Sequence, residues 1–162
     1  MNRTFGLAAL VGFIISLIVH ISALLSIDVL TDFPYVWLLH VGIFVVFIPF
    51  VFLSRKTLGA KPKFAEIRAA FPSWVVVVGA FICAYAVLNF VLFMVATEGG
   101  SPSIRDGKYL LLNHGKLIRE LTFAEYTAFR TNEVRGFSGH WLVFYFVPFA
   151  YFAFRKQPTL VQ

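Results

Sequence analysis

Four stretches of the chain, residues 5–27, 35–53, 74–97 and 137–154, are almost wholly apolar and contain no Asp, Glu, Lys or Arg. Each is close to the roughly 20 residues a helix needs to cross a bilayer core. Lipid offers the backbone no hydrogen bonds and an open sheet cannot span it, so the pattern predicts four transmembrane helices. The first stretch is too long for the apolar core of a signal peptide, and no small-x-small cleavage site follows it. It is expected to remain as the first span.

The polar intervals orient the spans. The first carries Asp28 and Asp32 but no Lys or Arg, whereas the second carries Arg55, Lys56, Lys61, Lys63 and Arg68. Arg3 precedes the first span, and Arg155 and Lys156 follow the fourth. Basic residues concentrate on the cytoplasmic side, so both termini and the second interval are expected inside and residues 98–136 outside. The expected location is the cytoplasmic (inner) membrane of a bacterium.

The interval 98–136 has the pattern of a small folded segment. Lys108–Leu112 and Lys116–Leu121 flank Asn113-His114-Gly115 and predict a β-hairpin, with Gly115 at the positive φ of the turn. Thr122-Phe123-Ala124-Glu125 is a capping box and predicts a short amphipathic helix from Phe123 to about Arg135, stopping at Gly136. Some forty residues cannot bury a stable core alone. Tyr109, Phe123, Tyr126 and Phe129 are therefore expected to dock the segment on the mouth of the bundle or on a partner. The predicted fold is an all-α membrane protein, a four-helix transmembrane bundle in one domain, with an extracytoplasmic hairpin and short helix between spans three and four.

Composition supports this reading. Of 162 residues 59% are hydrophobic and only 14% charged, 20 are Phe, and mean hydropathy is +0.81. Soluble domains carry about a quarter charged residues. The net charge of +6 does not point to nucleic acid, because the basic residues sit where membrane topology places them. The single Cys83 excludes an internal disulfide and dithiol chemistry, and it reads as a small packing residue.

Histidine is the one residue type whose placement suggests chemistry. His40–Lys56 and His140–Lys156 align as a weak repeat, each running from His to Arg-Lys over one spacing, with Phe44 matched to Phe144 and Phe52 to Phe152. At 1.5 Å per residue, His40 and His140 each lie about 22 Å from their cytoplasmic Arg, and His20 about 25 Å from Arg3. The three are expected at one height near the outer face, with His114 on the hairpin above. Ala8, Gly12, Ser16 and His20 fall on one helix face, which points His20 into the bundle. Imidazole ligates haem and transition metals, so His20, His40 and His140, with His114 as a further candidate, form the candidate cofactor or metal site. The bland reading is three polar residues satisfied near the interface.

Nucleotide-binding glycine motifs, HExxH and GxSxG are absent, and no carboxylate interrupts a span. No catalytic residue is therefore expected. The function expected is a non-catalytic membrane protein, an accessory subunit or assembly partner among other membrane subunits in the lipid bilayer. A haem- or metal-binding redox component is the second expectation, and a small transporter or channel the third.

Overall fold

The computed structural model describes residues 2–156. It contains four helices long and apolar enough to cross a membrane: α1 (Asn2–Leu24), α3 (Leu38–Leu58), α5 (Ser73–Ala96) and α6 (Phe123–Phe154). Two short helices, α2 (Val29–Asp32) and α4 (Phe64–Ala70), lie in the first two connections, and a 3-10 turn, Pro34–Trp37, leads into α3. Strands β1 (Ser101–Arg105), β2 (Lys108–Asn113) and β3 (Lys116–Glu120) form an antiparallel meander between α5 and α6.

The helix ends have local causes. At the end of α1 the amide of Ile27 reaches back to the Ser22 carbonyl and that of Ser26 to Ala23. This is a Schellman closure, with Ser26 at φ 61 in the place glycine usually takes. Asp28 then caps α2 through the Leu30 amide and pairs with Arg130 of α6 at 3.8 Å. α3 stops at Gly59, φ 85.

α6 is the hub: α1, α3 and α5 all pack on it, and α1 also meets α3. Phe5 stacks on Phe152 and Trp74 meets Phe154 edge-on, so the starts of α1 and α5 gather round the end of α6. The sheet stands at the opposite end. Trp141, fully buried, and Tyr145 anchor the centre of the core together with Ala9, Val19, Ile43 and Val46. Tyr145 is wedged between α1 and α3, and its hydroxyl donates to the Leu39 carbonyl at 2.7 Å. A Cβ at Gly12 would overlap the Tyr145 ring, and one at Gly42 its hydroxyl, so both glycines are needed for this insertion. Towards the termini a second, apolar core forms from Phe71, Val75, Phe146, Ala150 and Tyr151.

The outer segment departs from expectation twice. The hairpin is part of a three-stranded sheet, because Asp106-Gly107 (φ 49 and 74) makes a second tight turn besides His114-Gly115 (φ 47 and 82). The short helix does not stop at Gly136 but continues into the fourth long helix. The Gly136 carbonyl, like that of Arg135, accepts from Asn89, and a Cβ at Gly136 would strike the Phe93 ring. Glycine here lets α5 approach α6 closely and is not a terminator. The capping box forms as expected: Thr122 Oγ1 accepts from the Glu125 amide at 3.2 Å, and Glu125 accepts from the Thr122 amide at 2.8 Å.

Candidate functional site

Four of the five buried polar residues among those described converge on one seam between α1, α5 and α6 in the half of the bundle nearer the sheet. Ser16, His20, Asn89 and Ser138 are all buried there. His20 is 2% exposed and bridges three helices. Its Nδ1 lies 2.8 Å from Ser138 Oγ and its Nε2 2.5 Å from the Tyr85 hydroxyl, with the two rings edge-on. Ser138 Oγ itself donates to the Arg135 carbonyl at 3.2 Å. Ser138 has one proton to donate, so it accepts from His20 Nδ1–H, and Nε2 faces the Tyr85 hydroxyl. The result is a chain of contacts, Tyr85 to His20 to Ser138 to the backbone of α6. Asn89 extends the seam, donating to the Arg135 carbonyl at 3.0 Å; Gly139 leaves the space that Asn89 occupies.

The three histidines of the candidate cofactor site lie at the level of α6 residues 136–141, yet the structure does not bring them to a common point. His20 is committed to Ser138 and Tyr85. His40 is exposed on α3 and accepts at Nδ1 from Trp141 Nε1 at 3.0 Å. His140 donates from Nδ1 to the Gly136 carbonyl of its own helix at 2.9 Å and packs edge-on against Phe90. His114 sits exposed in the β2–β3 turn. Among the described residues, no three His, Cys, Asp or Glu side chains lie close enough to hold a metal ion. The physical reason is that α6 stands between the other helices, so level residues on different helices face different sides of it. The two halves of the weak repeat accordingly occupy unlike places, His40–Lys56 on a flank and His140–Lys156 at the hub.

The docking residues divide in the same way. Phe129 is buried with Leu111 and Leu121 beneath the sheet, and Tyr109 and Tyr126 pack ring on ring at 4.9 Å against that cluster. These contacts hold the sheet on α6, with Tyr109 and Tyr126 half-buried. Phe123 alone is widely exposed. Cys83, expected inside the packing, is instead exposed and lines an apolar groove of about 570 Å³ between α3, α4, α5 and α6. A second groove, about 1230 Å³, runs between α1 and α3. Of the predicted inward face of α1, Gly12, Ser16 and His20 are buried and Ala8 is exposed.

Sequence reasoning missed Ser138, Arg135 and Trp141 as partners of the histidines. Gly136, Ser138 and Gly139 form a run of small residues on α6 that marks a close helix contact, and that was the available signal. Comparison with protein-family models, with curated proteins and with solved structures finds no match to this chain.

Proposed function

We propose that the chain is an integral membrane protein of four spans that serves as a non-catalytic accessory subunit or assembly partner of a larger membrane complex. The orientation that supports this reading has both termini and the basic α3–α5 connection in the cytoplasm and the sheet outside, in a bacterial inner membrane. At about 48 Å, α6 exceeds the roughly 30 Å hydrocarbon core, so its first turns stand clear of the lipid beneath the sheet.

The observation that carries the accessory role is the open flank of the bundle. α3 and α5 both lean on α6 and leave the 570 Å³ groove between them, lined almost entirely by apolar side chains such as Phe50, Val76 and Phe146. A transmembrane helix of another subunit fits such a groove by close van der Waals packing. The redox reading loses its ligand set, since each histidine within a span already has a different partner. A transport reading lacks a polar path, because the seam gives way towards the termini to the core around Phe71, Phe146 and Tyr151.

Cys83 supplies the test. A photo-reactive maleimide placed on it in native membranes is expected to yield one discrete adduct with a single partner protein. Adducts with lipid alone would overturn the accessory role.

A further inference from the structure

A cavity of about 380 Å³ lies at the sheet end, between the last turn of α1 and the first turns of α6. Its lining includes Leu24, Ser26, Thr127, Thr131, Asn132 and Arg135. Thr131 is only 7% exposed, and its hydroxyl has no hydrogen-bond partner; Arg135 Nε is also buried without one. Buried polar atoms are nearly always paired, so two orphans on one cavity wall mark a place for a ligand. Among the described residues Arg135 has no carboxylate within ion-pair distance, and none lines the cavity. Arg130, little more than a turn away, is by contrast paired with Asp28.

We infer that this cavity binds a phosphate-type oxyanion, held by the Arg135 guanidinium and the Thr131 hydroxyl. Guanidinium offers paired donors that match phosphate oxygens, and hydroxyls complete the shell. Thr127 and Ser26 add two further hydroxyls to the lining, while Leu24 and the alanines 23, 124 and 128 give it apolar walls. Such a wall suits a phosphate that arrives attached to a lipid. The oxyanion site stands on the cavity alone; its supply from the outer leaflet as the phosphodiester of an anionic phospholipid rests on the membrane reading above.

The test is native mass spectrometry of the full chain, delipidated in detergent, with phosphatidylglycerol, with phosphatidylcholine of the same acyl chains, and with inorganic phosphate. Phosphatidylglycerol is expected to bind about tenfold more tightly than phosphatidylcholine, whose choline cation finds no carboxylate in the cavity, and R135Q is expected to abolish that preference. R130Q, which removes the same charge outside the cavity, should leave the preference intact. T131V, which keeps shape and removes only the hydroxyl, should weaken binding several-fold and guards against a folding defect in R135Q. Binding of inorganic phosphate sensitive to R135Q, without lipid preference, would support the oxyanion site and overturn its lipid source. Binding of both probes unchanged by R135Q and T131V would overturn the site. Failure of the chain to enter vesicles would end the membrane reading while leaving the phosphate measurement in detergent readable.

Discussion

Tyr145 shows how much of the core rests on single atoms. Its ring fits only because Gly12 and Gly42 have no side chains, and its hydroxyl meets a backbone carbonyl of α3. Gly12→Ala is expected to destabilise the protein by about 1–3 kcal/mol through overpacking. Tyr145→Phe, which keeps the ring, should cost about 1 kcal/mol for the lost hydrogen bond. Thermal unfolding in detergent checks both, and a Gly12→Ala chain as stable as the parent would contradict the wedge. The inward position of His20 was legible in the four-residue spacing of Gly12, Ser16 and His20, because one helix's face can be read from one helix's sequence. Its partners Ser138 and Tyr85 were not, because they lie 118 and 65 residues away and no local pattern encodes such pairings.

Among the elements, the capping box at the start of α6 was readable because it is wholly local. The hairpin at Gly115 was readable for the same reason, whereas β1 was hidden by Pro102, which an edge strand tolerates but which argues against a strand when read from sequence. The unbroken α6 was missed because a glycine after a capped helix normally reads as its end. Thr122→Ala is expected to cost about 1 kcal/mol, visible as faster hydrogen exchange in residues 123–126. Glu125 lies on the first turn of α6, outside the uncharged run 137–154. The Thr122 amide, then Arg119, then the Thr122 hydroxyl hold its carboxyl down to about 2 from an ordinary 4.5. A depressed folded pKa stabilises the cap above the unfolded value. That contribution should be intact above about pH 4.5 and disappear as pH falls towards 2, so fraying of the first turn should rise across this window. Fraying that does not change between pH 5 and pH 2 would show that Glu125 does not hold the cap.

For the molecule as a whole, the number of long apolar helices and the approximate bounds of the first three were plain in the sequence, since each of the four contains a long uncharged run. Their arrangement was not, because apolar runs of similar composition do not reveal which helix takes the centre. The proposed orientation is testable with the C83S chain carrying one new cysteine. A membrane-impermeant maleimide applied to intact cells stripped of their outer envelope should label H114C and spare K61C. The reverse pattern would invert the topology.

The order of the helices along the chain has a consequence for assembly in time. α1, α3 and α5 all precede α6, the helix on which each of them packs. In the proposed membrane setting they would enter the bilayer before their common partner exists, so packing on α6 would follow insertion as a separate stage. Through that interval Ser138, the Arg135 carbonyl and the Trp141 indole are missing, and His20, Asn89 and His40 wait without the groups that satisfy them. The closing event is then the arrival of α6, which supplies the partners of all three side chains at once.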